Sequence, residues 1–290
     1  MRTFKFWLLY GLSVFFLLTA LACLTLLLCS AQMWLRESRD IEQVAPVTGR
    51  IVEVRDALMF VFEEGSESSP PVIFVHGPGW GALWSETATP AVEADFRAIT
   101  VDMPPFGFSQ KLYGAESYSI ARQTMRLFDV LAKLGIRRAI FVCHSIGCQP
   151  VMELAILKPS LVRKLVLVDP ELCMAGGPEN PHYAPLALDG VTRSLFSMPF
   201  IRNAILATYG THPFSIASSL RSMVYNKMAV SAGRVEMLQA PLQLKHMTQA
   251  YGDWLEHFLV SKENAYVTNF ANFRHIKMPT LILWGQKDAI

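Results

Sequence analysis

From residue 49 onward, short β-branched and aromatic runs alternate with longer stretches whose apolar residues recur every three or four positions. That alternation is how a mostly parallel sheet with crossover helices is written in sequence. Strands are predicted over residues 50–54, 58–63, 72–76, 97–102, 139–143, 164–169 and 280–284, the first two pairing as an antiparallel hairpin or meander. A helix is predicted over 119–134, where Ile120, Met125, Phe128, Val130, Leu131 and Leu134 fall at helical spacings and Gly135 stops it. A second follows over 146–157, ended by Lys158 and Pro159. Between residues 171 and 275 the alternation ceases. This part is rich in Met, Phe, Tyr, Ser and Pro, has helical patterns around 216–228 and 247–259, and reads as an inserted helical cap over the strand ends. Its apolar residues Phe196, Met198, Phe200, Tyr209, Phe214, Met223 and Tyr225 are expected to pack on the fold beneath rather than line a pocket.

The other constraint lies at the amino end. No charged residue occurs between Lys5 and Arg36, and residues 6–34 are dominated by Leu, Phe, Val and Ala. A bilayer is spanned by about 20 apolar residues, whereas the apolar part of a cleaved signal peptide is about 7–15 long, so an uncleaved single-pass anchor is expected. Arg2 and Lys5 precede the run, while Arg36 and Arg39 are mixed with Glu37, Asp40 and Glu42, a slight bias toward the N-terminus inside and the domain extracytoplasmic. The expected organisation is therefore an anchor (1–36), a polar linker (37–49), a first core part (50–170), the cap (171–275) and a last core strand (276–290).

A formal net charge of +2 without any Lys/Arg run excludes the electrostatic footprint of a nucleic-acid binder. The five cysteines show neither a disulfide framework nor a zinc-site spacing, so Cys143, Cys148 and Cys173 read as small buried hydrophobes.

Residues 139–157 carry the chemistry. An apolar strand ends in Cys143-His144-Ser145-Ile146-Gly147, and a helix starts at once. This resembles the G-x-S-x-G nucleophile elbow of the α/β-hydrolase fold family, with Cys143 in place of the first glycine. The physical logic is steric: a strained turn lifts the Ser145 hydroxyl off the sheet end, and small neighbours let strand and helix approach. His144 is assigned to structure, because the side chains of successive residues do not face each other.

What the resemblance implies is a serine hydrolase of the esterase/lipase-like branch, with no metal or organic cofactor. The loop His76-Gly77-Pro78-Gly79-Trp80-Gly81 is similar to the family's oxyanion loop; with Pro78 lacking an N–H, Gly79 is the expected donor beside Ile146. The segment 102–109 is similar to the turn after the next strand, which gives Asp102 a structural role. The segment 278–288 is similar to the late strand and turn that carry the triad acid, implying Asp288, with Asp169 as alternative acid. In this family the base follows the acid in the chain. The histidine is therefore expected beyond Ile290, together with one more strand and helix. The substrate implied is a small ester or lipid-like ester; carbon–carbon bond hydrolysis shares the scaffold. A serine at the elbow argues against the dehalogenase and epoxide-hydrolase branches. The alternative reading is a non-catalytic, membrane-anchored α/β-hydrolase-like binding protein lacking the catalytic His.

Overall fold

The computed structural model describes residues 2–79, 81–172, 190–260 and 265–287. It begins with a long helix, α1 (Arg2–Arg36), and a single turn, α2 (Ile41–Val44). Seven strands follow: β1 (Gly49–Glu53), β2 (Leu58–Glu64), β3 (Pro71–Val75), β4 (Arg97–Val101), β5 (Ala139–His144), β6 (Val162–Val168) and β7 (Thr280–Leu283). They form one sheet in the order β1-β2-β4-β3-β5-β6-β7. β1 and β2 pair antiparallel, β2 joins β4 antiparallel, and every later pairing is parallel. All seven predicted strands are present, and the fold is that of an α/β hydrolase.

Period-two alternation sorts the central strands into two buried faces. Ile73, Val75, Ile99, Val101, Phe141 and Cys143 pack against Leu127, Val130 and Leu131 of α4 (Ile120–Lys133) and Val151, Leu154 and Ala155 of α5 (Cys148–Leu157). Val72, Phe74 and Ala98 face the other way, onto Ala88 of α3 (Ser85–Glu93) and Trp84. With helices on both faces, β3 and β4 are apolar almost throughout, as parallel strands must be. At the edge beyond β6, Leu281, Ile282, Leu283 and Trp284 are each about half exposed.

The cap comprises α6 (Gly190–Phe196), α7 (Pro199–Ile205), a π-turn (Leu206–Gly210), α8 (Pro213–Met223), α9 (Ala232–Gln239) and α10 (Met247–Val260). The buried Arg202 guanidinium ties α7 to Asp253 and Glu256 of α10. Asp253 also accepts the Gly114 amide of the core at 2.8 Å. Where the chain returns from the cap, the buried Glu153 carboxylate of α5 accepts the amides of Tyr266 and Val267 at 3.1 and 2.7 Å. Packing of the cap aromatics, expected from sequence, is not what is found: Met198, Phe200, Tyr209, Phe214, Met223 and Tyr225 are all exposed. Hydropathy alone does not distinguish a side chain facing a core from one facing another apolar medium.

The segment joining α1 to β1 is docked on the cap. Glu37 accepts the Thr248 amide at 3.1 Å and is also hydrogen-bonded by the Thr248 hydroxyl; burial pushes its pKa up. Arg36 donates to the Leu242 carbonyl at 3.1 Å and the Thr211 hydroxyl at 3.3 Å. Residue 39 exchanges backbone hydrogen bonds with Gln243 and Lys245, both at 3.0 Å.

Candidate active site

β5 ends at His144, and the chain turns at Ser145 with φ of +50°, a left-handed conformation that non-glycine residues rarely adopt. A tight turn (Ser145–Gly147) then feeds α5. Gly147 permits this: a Cβ there would sit 2.2 Å from the His76 carbonyl oxygen, so no other residue lets the turn lie against the end of β3. From the other side the loop after β3 presses on the nucleophile position. A Cβ on Gly77 would meet Ser145 Cβ at 3.0 Å and His144 Nδ1 at 2.8 Å. The turn at Ser145 and the loop after β3 are thus in direct contact.

Cys143 and Cys148 bracket Ser145 and form a disulfide, their Cα atoms 5.0 Å apart. This corrects the reading of these two as isolated hydrophobes, although both are fully buried. A C-x4-C spacing means little along a strand or along a helix. Only the reversal at the elbow brings the two side chains together.

His76 organises the loop. Its Nε2 accepts the Met103 amide at 2.9 Å, which leaves Nδ1–H to donate to the Gly77 carbonyl at 2.6 Å. Burial lowers its pKa from 6.5 to about 4, so the ring is neutral and both nitrogens are engaged. It is therefore unsuited to serve as base. Asp102, wholly buried, accepts the Gly81 amide with one oxygen and the Phe108 amide with the other, joining the loops after β3 and β4; burial raises its pKa from 3.8 to about 6. Lys111 Nζ donates to the Gly107 and Ser109 carbonyls at 2.6 and 2.8 Å, and burial lowers its pKa to about 7. The sequence signals for this scaffold were a His after one strand and an Asp after the next; the part played by Lys111 carried no signal.

Of the residues expected to hold an oxyanion, Ile146 opens the helical turn, where amides lack intrahelical acceptors. Pro78 is exposed, and Gly79 has φ of +150° and lies against Leu83 of the loop. The loop residue pressed onto Ser145 is Gly77. Beside Ile146 and Gly147 a pocket is lined by Met103, Phe106, Gln123, Gln149 and Trp254, among others. The ring of Trp254, on α10, stands 5.0 Å from that of Phe106 and covers this side of the core.

Asp169 follows β6 with φ of +41°. Its Oδ1 accepts the Gly285 amide at 2.6 Å and its own amide donates to the Leu283 carbonyl at 2.9 Å. Two residues on, the Glu171 amide donates to the Ser145 carbonyl at 3.2 Å, so this turn runs beside the elbow. Asp288 lies outside the described residues, as does His182. Among the other histidines, His212 faces Gln32 of α1, His246 lies on the Tyr113 ring, His257 is in α10 and His275 precedes β7.

A sheet with strained serine at the end of its central strand, and a glycine loop laid across it, defines a hydrolase scaffold. A sequence description of the alpha/beta hydrolase fold matches residues 70–290, and the chain belongs to that family. Among curated relatives, it is 27% identical over 254 residues to a 2-hydroxy-6-oxononadienedioate/2-hydroxy-6-oxononatrienedioate hydrolase of Cupriavidus pinatubonensis, covering 83% of this chain and 79% of the relative. It is 28% identical over 247 residues to the 2-hydroxy-6-oxo-6-phenylhexa-2,4-dienoate hydrolase of Comamonas testosteroni, covering 81% and 77%. Similar solved structures include the enol-lactonase from Burkholderia xenovorans (TM-score 0.59, 16% identity, 82% and 81% covered). A haloalkane dehalogenase from Bradyrhizobium elkani is similar in fold too (TM-score 0.61, 21% identity, 82% and 80% covered).

Proposed function

We propose that this hydrolase is a membrane-anchored serine hydrolase that cleaves a carboxylic ester or related acyl bond through Ser145. The observation that carries the reading is the left-handed Ser145 with Gly77 pressed against it, an arrangement with a steric cost and a use in aiming a nucleophile at a bound carbonyl. The Ser145 oxygen bonds to the acyl carbon, the alcohol leaves with a proton, and water then releases the acid and restores the serine. The amides of Ile146 and Gly79 are the proposed oxyanion donors, Pro78 contributing none. Asp288 is the proposed acid that orients the base, with Asp169 as the alternative.

The pocket favours a neutral substrate. Its described lining contains no Arg or Lys, and His76 is uncharged. A dioate, the substrate class named for one relative, carries two carboxylates that such a lining leaves unpaired. Identity to the phenylhexadienoate hydrolase favours a second reading, hydrolysis of an oxo-dienoate. Full-length protein in detergent should hydrolyse p-nitrophenyl butyrate, and Ser145→Ala should lose about a thousandfold or more of that rate. Turnover of 2-hydroxy-6-oxo-6-phenylhexa-2,4-dienoate in place of the ester would transfer the function to the second reading; turnover of neither would favour the binding protein. Asp288→Asn should reduce the rate more than Asp169→Asn, and the reverse order would make Asp169 the acid.

Helix α1 is proposed as the anchor, with the domain on the extracytoplasmic side. Residues 9–36 are long and apolar enough to cross a membrane, and none of their most apolar stretch is buried within the protein. The Cys143–Cys148 disulfide supports an oxidising compartment. Protease added to intact cells should digest the domain; protection would contradict that orientation.

A further inference from the structure

The uncharged run of α1, residues 6–35, has a rise of about 45 Å at about 1.5 Å per residue. A hydrocarbon core is about 30 Å thick, matched by about 20 residues. Fitting the whole run inside would need a tilt near 50°, outside the usual range of about 0–40°. The structure uses the excess differently. Twenty residues counted from Phe6 end at Thr25, and from Leu26 a stripe at helical spacing, Leu26, Cys29, Ser30, Met33 and Arg36, turns partly buried. That stripe belongs to the part of α1 that contacts α7 and the π-turn of the cap. These cap elements therefore stand at the level where the apolar helix leaves the hydrocarbon.

The cap carries aromatic side chains at this level. Phe200 on α7 is 76% exposed, Tyr209 in the π-turn 69%, and Phe214 on α8 88%. Phe214 lies beside His212, whose ring faces Gln32 of α1. Trp34 of α1 is exposed as well. Trp and Tyr are enriched where hydrocarbon meets headgroups, and Phe is used with them on the apolar face of segments that lie in that interface. Residues 190–235 contain no Asp or Glu, while Arg221 and Lys227 are exposed, so this stretch carries no carboxylate that lipid phosphates would repel.

We propose that Phe200, Tyr209 and Phe214 form a membrane-docking face, seated in the interface of the same bilayer that α1 crosses. The hydrolase domain is thus held against the lipid surface by two contacts, a span and a cap face, rather than swinging on a tether. Through Arg202, this face connects to α10, whose Trp254 lines the pocket. The inference rests on α1 being a span, and the test separates the two. In a Cys23→Ala/Cys29→Ala/Cys173→Ala chain reconstituted into phosphatidylcholine/phosphatidylglycerol vesicles, an environment-sensitive fluorophore is attached at Phe200→Cys, Phe214→Cys, Phe16→Cys or Glu67→Cys. Lipids spin-labelled near the headgroup should quench positions 200 and 214 at least threefold more than position 67, and deep labels should quench position 16. Quenching at 16 with 200 and 214 no different from 67 would overturn the docking face and leave the span standing. Absence of quenching at 16 would overturn both. Emission at 200 and 214 that shifts with protein-to-lipid ratio but ignores the lipid quenchers would assign the face to a second copy of the chain, contradicting the proposal.

Discussion

The two sides of the candidate site are built to different standards. On the nucleophile side, β3, β5 and α5 meet at distances that allow no added atom: Gly147 against a carbonyl oxygen, Gly77 against Ser145, and a disulfide across the turn. Around the candidate acid Asp169, β7 is an edge strand exposed along its length that pairs on one side only, with β6, and the Asp169 carboxylate accepts the Gly285 amide beyond it. Close steric contact fixes the first, whereas the second rests on hydrogen bonds at an exposed sheet edge. The lesson is that the turn at Ser145 is held by steric contact, while the placement of the proposed acid depends on how β7 docks.

The largest effect expected is at Gly147. Gly147→Ala places a Cβ on a backbone oxygen that cannot rotate away, so the variant should lose about 4 kcal/mol or more and fail to fold at 37 °C. Chemical denaturation reads this directly; a loss under about 1 kcal/mol would mean that the elbow is looser than described. By contrast, Leu283→Ala on β7 removes a side chain already 46% exposed and should cost under about 1 kcal/mol.

Next in size is the response to acid. His76 has its pKa lowered from 6.5 to about 4, so the folded state resists a proton that the unfolded state accepts. Its contribution is complete above pH 6.5 and is lost as pH falls toward 4. Asp102 runs the other way: with its pKa raised from 3.8 to about 6, it favours the folded state increasingly as pH falls from 6 to 4. The two offset each other in the parent chain. Asp102→Asn removes the second effect and should lose up to about 3 kcal/mol between pH 7 and 4, more steeply than the parent. In denaturation series at stepped pH, equal slopes for the two chains would contradict the raised pKa of Asp102, and a flat profile for Asp102→Asn between pH 7 and 4 would contradict the neutral, buried His76.

The disulfide should matter somewhat less. Closing so short a loop contributes about 2 kcal/mol, and Cys143→Ala with Cys148→Ala should lose roughly that much. Intact-mass analysis after alkylation under denaturing, non-reducing conditions should find only Cys143 and Cys148 joined. Alkylation of both would remove the brace from the account.

These contrasts also explain what could be read from the sequence. The elbow was legible because a strand, a serine, a glycine two positions later and a helix are all local signals, and Gly147 shows why the glycine is needed. The mostly parallel sheet with its antiparallel first pair followed from alternation. The disulfide was not legible, since C-x4-C acquires meaning only after the chain reverses. The cap aromatics were assigned to packing because a run of Phe, Tyr and Met reads alike whether a core or an external apolar phase covers it. For the proposed acid the sequence offers only a pair of candidates, as the docking of β7 against β6 is a long-range event that short patterns do not encode.

The central claim is that the left-handed serine at the end of β5 is the nucleophile. Full-length protein in detergent, treated with a fluorophosphonate and digested, should yield one phosphonylated peptide with the adduct on Ser145, absent from Ser145→Ala. An unmodified Ser145 in folded protein, or an adduct that persists elsewhere in Ser145→Ala at the same rate, would contradict it.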